Sequence, residues 1–149
     1  MHIRVNGIPG PQGSKRHVGG GVMIESSKAV GPWRDAIRTE CQRLTGAAIA
    51  YPRPAAVVVN ICFTLPRPVG HLGLGRNAGK PKPSAPDYPA VKPDIDKLER
   101  AVLDGLTAGG AWSDDAQVVS CLTVKAYAAP GETTGCDVHV VAAKPINRE

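Results

Sequence analysis

The sequence predicts one α+β domain in which a mixed β-sheet of short strands carries two principal helices, and three observations lead there. The chain has 149 residues, the size at which a single domain buries a working core without disulfide or zinc staples. Apolar residues recur at every second position in some segments and at helical spacing in two others. Between the two helical segments lies a stretch, about residues 66–93, that follows neither period and is rich in Pro and Gly. It reads as a flexible basic loop inside one domain spanning 1–149.

Ile3 to Ile8 alternate partly and end in Gly-Pro punctuation, and Gly21 to Glu25 form a second short β-prone run. The two are expected to pair as an irregular hairpin. Pro32 then stands where a first helical residue is favoured, Trp33, Ile37, Cys41 and Leu44 follow at helical spacing, and Gly46 closes the segment. Val57, Val59, Ile61, Phe63 and Leu65 mark the clearest strand, with Asn60 and Thr64 on its other face. After the loop, Ile95, Leu98, Val102 and Leu106 place one stripe of a second helix against the core as far as about Thr107. Gly109 and Gly110 stop it. Val118 to Tyr127 and Cys136 to Ala142 are the last two strands, on either side of the turn-rich PGETTG.

The formal net charge is +5, which favours polyanionic partners. Arg67, Arg76, Lys80, Lys82 and Lys92 against the single acid Asp87 make the long loop basic, so that phosphate would order it. Cys41, Cys62, Cys121 and Cys136 lie far apart, two of them within strands, and read as buried, reduced thiols. Together with the scattered histidines His2, His17, His71 and His139 they show no paired zinc-ligand spacing. No apolar run approaches a membrane span and MHIRVNGIPG lacks a signal-peptide core, so a cytoplasmic protein is expected.

The chemistry concentrates in KPDIDKLERAVLDGLTAGGAWSDDAQVV, residues 92–119, which puts acidic residues at both ends of one helix. Asp94 and Asp96 stand at its entrance, where a carboxylate can cap free amides, and Asp96 with Glu99 has capping-box spacing. Capping accounts for one of the two. Extended backbone at D-x-D would turn both to one side, an arrangement suited to a hard cation. Asp114 and Asp115 follow the helix, separated from the first pair by about 20 Å of helix axis. The segment from Ala108 to Asp115, if extended, covers roughly 23 Å and so is long enough to return to the entrance. Gathered carboxylates repel one another unless a cation neutralises them, and Mg²⁺ or Mn²⁺ would do so while leaving positions for water and a phosphate oxygen.

The run KPDIDKLERAVLDGL followed by WSDDAQV resembles the signature of the RusA family of crossover-junction endodeoxyribonucleases, with D-x-D, a helix, and an acidic pair before Q-V. GIPGPQGSKR, GPWRDAIR and the late strands resemble the family's layout more loosely. The resemblance implies a Mg²⁺-dependent endonuclease that resolves four-way (Holliday) DNA junctions as a homodimer. By it Asp94, Asp96 and Asp115 are the catalytic metal-binding acids, with Asp114 a ligand in place of Asp115 or an outer residue orienting the ligands. Two departures stand beside the motif: Lys97 where the family commonly has Asn, and Arg100 where it has Lys. Arg100 either contacts phosphate or pairs with Asp104 four residues on. Lys15, Arg16, Arg76, Lys80, Lys82, Lys92, Lys97 and Arg100 are the candidate DNA contacts. No Ser–His pairing offers a covalent nucleophile, so metal-activated water is the expected attacking group. A less selective branched-DNA nuclease and a catalytically inactive DNA-binding module are the two rival readings.

Overall fold

In the computed structural model, which describes residues 1–146 other than 14, 18, 21–22 and 26–27, the strands are β1 (His2–Asn6), β2 (Lys15–His17), β3 (Met23–Glu25), β4 (Val57–Leu65), β5 (Val118–Tyr127) and β6 (Gly135–Ala142). The two helices are α1 (Val30–Thr45) and α2 (Ile95–Ala108). This is the α+β architecture expected from the sequence, with a mixed four-stranded sheet in the order β1-β6-β4-β5.

β4 is the spine of that sheet. Its odd-numbered residues, Val57, Val59, Ile61, Phe63 and Leu65, are all buried, as period-two alternation demands of a strand with one face on a core. β6 runs antiparallel to it and β5 parallel, with Ile61 opposite both Val138 and Thr123. A parallel neighbour needs a crossover connection, and α2 supplies it. β5 and β6 flank PGETTG as expected but do not pair with each other, because β4 lies between them.

β1 pairs with β6, placing Ile3 opposite Val138 and Val5 opposite Cys136. The expected hairpin between the first two β-prone runs therefore does not form. β3 pairs with β2 in a separate two-stranded sheet, while Ile3 and Val5 bury their side chains in the main core. The stronger apolar alternation of β6 makes it the better partner for β1.

α1 and α2 cover one face of the sheet. Trp33, Ile37 and Cys41 from α1 meet Leu98, Ala101, Val102 and Leu106 from α2 in one core with Phe63 and Val59. Gly105 lets the helices touch: a Cβ there would lie 2.9 Å from Ile37 Cβ. α1 ends at Gly46, whose φ of 64° is the left-handed cap that glycine adopts without penalty. The other face of the sheet is uncovered and presents Cys62, which is exposed, contrary to the expectation of four buried thiols. Cys41 and Cys136 are buried, and burial pushes the Cys136 thiol up to about 12.

The segment 66–93 has local order. Leu72 bridges Pro81, Gly73 bridges Ala78, and Arg67 lies 4.5 Å over the Tyr127 ring while donating to the Pro86 carbonyl at 2.9 Å.

Candidate functional site

Asp94 is the N-cap of α2, with extended backbone (φ −67°, ψ 138°), but its side chain accepts no capping hydrogen bond. Lys97 Nζ stands 3.2 Å from its carboxylate instead. Asp96 lies within the first helical turn, so the D-x-D backbone is extended at its first residue only, and the capping box expected between Asp96 and Glu99 is absent. Glu99 instead accepts a hydrogen bond from the Thr123 hydroxyl. Two bonds fix the approach to this turn: Lys125 Nζ on β5 donates to the carbonyls of Val91 at 2.7 Å and Pro93 at 2.9 Å. The early loop is fastened by Gln12 N–H donating to the Lys97 carbonyl at 3.0 Å. Pro11, Gln12, Lys92, Pro93, Asp94 and Lys97 thereby line a cleft of about 330 Å³.

The second acidic pair follows the exit of α2. Trp112 is buried and donates its indole N–H to Thr107 Oγ1 at 2.8 Å, which holds the chain at the helix end. Asp114 caps a single 3-10 turn, Asp115–Gln117, accepting from Ala116 N–H at 2.9 Å. Gln117 completes a capping box: its Oε1 accepts from Ser113 N–H at 2.9 Å and Asp114 N–H at 3.2 Å. Its Nε2 donates to the Tyr51 and Ala55 carbonyls at 3.0 and 2.7 Å. The backbone N–H of Ala116, a side-chain bond with Asp115 and the Arg53 guanidinium 2.8 Å away hold Asp114 below the usual carboxylate range. Asp114 is thus occupied in building the turn, and Asp115 beside it is exposed.

These two pairs do not meet within one chain. Val118, three residues after Asp115, lies opposite Val57 at the start of β4, whereas Lys125, which holds Pro93 beside Asp94, lies opposite Phe63 near its end. The six residue steps of β4 between those levels span about 20 Å. The return of the chain along α2 that the sequence allowed is not taken, because Ala111 and Trp112 turn toward the segment before β4, where Tyr51 N–H bonds the Ala111 carbonyl and Tyr51 bridges Trp112. Among the described residues no group of three His, Cys, Asp or Glu side chains is placed to hold a metal ion.

Comparison with protein families matches the chain to the endodeoxyribonuclease RusA model over residues 6–135. The chain belongs to the RusA endodeoxyribonuclease family. The match covers most of the domain, from the end of β1 to the start of β6, so it includes both helices and both acidic pairs. No curated protein matches the chain.

As a member of the RusA family the chain is expected to carry DNA contacts, and the candidate basic residues fall into three places. Lys92 and Lys97 line the cleft with Asp94. Arg100 is exposed on α2, and the alternative partner considered for it, Asp104, is instead paired with Arg34 of α1 at 3.5 Å. Arg76, Lys80 and Lys82 are exposed on the long loop, where Lys82 Nζ donates to the Gly70 carbonyl at 2.9 Å. Lys15 and Arg16 are in β2, and their side chains lie outside the described residues.

Two features escaped the sequence reading. Gln12 lines the cleft beside Asp94, and its Oε1 is buried with no hydrogen-bond partner. The GPQG run carries it, but only the fold shows that this loop reaches α2. On the open face of the sheet, His2 and His139 stack at 4.1 Å rather than standing apart, because β1 and β6 place them opposite each other. His2 and Arg4 bind Asp137 at 3.1 and 2.6 Å. Burial raises the Asp137 pKa, and the bonds from Arg4 and His2 outweigh it, leaving the carboxyl below its usual range.

The donor chemistry at the α2 entrance fits a hard divalent cation: two carboxylates and an orphaned amide oxygen line or adjoin one cleft. The three-carboxylate set of Asp94, Asp96 and Asp115 does not fit one within a single chain, since its third member lies at the other end of α2.

Proposed function

We propose that this protein is a Mg²⁺-dependent, structure-selective DNA endonuclease, with Mn²⁺ able to substitute, that acts as a homodimer and resolves four-way junctions by paired phosphodiester hydrolysis. The observation that carries the reading is the match to the endodeoxyribonuclease family across a segment whose acidic motif opens onto a cleft flanked by lysines.

The proposal assigns Asp94, Asp96 and Asp115 as the catalytic acids. When bound, the cation lowers the pKa of a water and offsets charge that grows on the phosphodiester. Lys92 and Lys97 attract the phosphate backbone into the cleft, and Arg100 extends that positive surface along α2. Gln117 and Asp114 hold the turn that presents Asp115. Arg76, Lys80 and Lys82, with Lys15 and Arg16, extend backbone contact to the outlying arms, where sequence readout is not needed. The homodimer follows from the symmetry of the substrate, since paired nicks in two equivalent strands require two equivalent sites. The protein works on cytoplasmic DNA.

A labelled immobile four-way junction, incubated with the protein with and without Mg²⁺ and beside the Asp94→Asn variant, tests the reading. Symmetric nicks that need both Mg²⁺ and Asp94 are expected. Equal cutting of junction, flap and linear duplex would replace junction resolution with a less selective nuclease. Binding without cutting under any metal would leave a DNA-binding module.

A further inference from the structure

The end of the sheet that carries Asp94 holds a second hollow, built by the long loop against the exit of β5. Lys125 and Tyr127 lie two residues apart on β5, opposite the buried Phe63 and Leu65, so both side chains leave the face that carries α2. Lys125 holds the α2 entrance, and Tyr127 stands about 7 Å farther along the strand. Arg67, two residues beyond the end of β4, lays its guanidinium over the Tyr127 ring, and His71 meets the same ring edge-on at 5.6 Å. Behind them the loop folds back on itself, with Gly73 N–H donating to the Lys80 carbonyl and Lys82 N–H to the His71 carbonyl, both at 2.9 Å. On the other side the chain turns after β5, where Ala129 N–H donates to the Glu132 carboxylate at 2.8 Å. Between these walls Arg67, Leu72, Pro81, Ala129 and Pro130 line a cavity of about 330 Å³.

The lining of this cavity selects its occupant. Apolar side chains and glycines make most of the wall, and Arg67 is its one charged residue among the described residues. Arg67 commits Nη1 to the Pro86 carbonyl, while its Nε and the Nδ1 of His71 are buried without partners among the described residues. Hydrogen bonding at the cation is therefore incomplete until acceptors enter. A lone phosphate would satisfy the cation but not the apolar walls, whereas an unstacked base brings both edge acceptors and a flat apolar face. The volume sits at the small end of ligand pockets, room for one base with its sugar. Arg76, Lys80 and Lys82 are exposed on the surrounding loop and draw in a DNA strand. The span from this cavity to the acidic cleft is fastened at both ends, Pro86 to Arg67 and Val91 and Pro93 to Lys125.

We propose that this cavity receives one unstacked base of the DNA strand whose phosphate lies in the Asp94 cleft. Arg67 donates to the base edge, and Leu72, Pro81 and Pro130 pack on its face. The placement of the strand rests on the reading of that cleft made above. Drawing a base out of the stack costs least at a branch point, where pairing is already interrupted, so the cavity favours branched over linear DNA.

2-Aminopurine, whose emission is quenched while it is stacked, locates the base. Placed one position at a time beside the crossover of a four-way junction without Mg²⁺, it should brighten at one position of each cut strand when wild-type protein binds. Ala129→Leu fills the cavity from an exposed position and keeps the backbone bond to Glu132, so it should abolish that brightening. An abasic nucleotide at the same position should weaken wild-type binding about five-fold or more and change binding by Ala129→Leu little. Brightening that survives Ala129→Leu, or an abasic loss equal in the two proteins, would overturn the pocket and leave the nuclease reading standing. If wild-type protein cuts no branched DNA with Mg²⁺, that reading fails instead, and the pocket is decided on a single-stranded oligonucleotide. Brightening there that Ala129→Leu abolishes would uphold base binding, and its persistence would overturn it. Tight binding of free dAMP with no brightening in any strand would give the cavity to a mononucleotide and overturn the proposal.

Discussion

Lys97 places its amine 3.2 Å from the carboxylate of Asp94, one turn into α2, where it neutralises the acid that opens the candidate site. A cation bound by Asp94 must displace this amine and tolerate its charge nearby. The pair is more than a third exposed on both sides, so solvent screens it and its worth is that of a surface pair, about 0.2–1 kcal/mol. Lys97→Asn should accordingly bind Mg²⁺ more tightly in calorimetric titration, by about 1.4- to five-fold. The same substitution should weaken junction binding at low salt and flatten its salt dependence, because one phosphate contact is lost.

The elements on either side of this pair were legible in the sequence to the extent that one residue could see its neighbours. Val57 to Leu65 and the Ile95, Leu98, Val102 and Leu106 stripe mark strand and helix by period alone, and Gly46 and Gly109 mark helix ends. What could not be read was which distant segment each would meet. β1 takes β6 rather than the nearby β-prone run because the choice turns on burial across 130 residues of chain. The acidic residues were recognisable as chemistry, since neither capping nor core packing needs four of them. Their spacing in space depended on whether residues 109–114 turn back or onward, and that is decided by Trp112 and Tyr51, which the motif does not include. Gln12 was invisible for the same reason.

Where α1 and α2 cross, Gly105 is the contact that sets their separation. A methyl group there would lie 2.9 Å from both Ile37 Cβ and Cγ2 and 3.1 Å from the Arg34 carbonyl oxygen, so the helices would have to part. Alanine recovers about 1 kcal/mol of helix propensity but overpacks a buried site, typically at about 1–3 kcal/mol. Gly105→Ala should be net destabilising in urea titration. Arg34 and Asp104 bridge the same crossing at 3.5 Å, so their ion pair should loosen as well.

The Asp137 cluster ties stability to acid. Its carboxyl is held below the usual range in the folded protein by Arg4 and His2. A carboxyl that ionises more readily when folded contributes stability that is complete above its unfolded pKa and is lost as pH falls through the lower, folded value. Thermal denaturation should therefore show a midpoint that falls as pH drops below the ordinary carboxylate range of about 4, and Asp137→Asn should flatten that part of the curve while lowering the midpoint at neutral pH.

Gln117 joins the acidic turn to the body of the protein through four hydrogen bonds, two accepted from Ser113 and Asp114 and two donated to Tyr51 and Ala55. It is one of two polar residues buried among the described residues, so the backbone groups it serves depend on it for partners. Gln117→Leu keeps the volume and abandons all four bonds, leaving backbone groups unpaired at about 1–3 kcal/mol each, partly relieved as the turn opens. A loss of about 2–4 kcal/mol is expected in denaturant titration. Gln117→Glu separates packing from hydrogen bonding, because it retains the acceptor toward Ser113 and Asp114 but has no amide to donate to Tyr51 and Ala55. If the turn serves to present Asp115, both variants should lose more nicking activity than their residual folded fraction accounts for. Activity that tracks the folded fraction alone would confine Gln117 to structure.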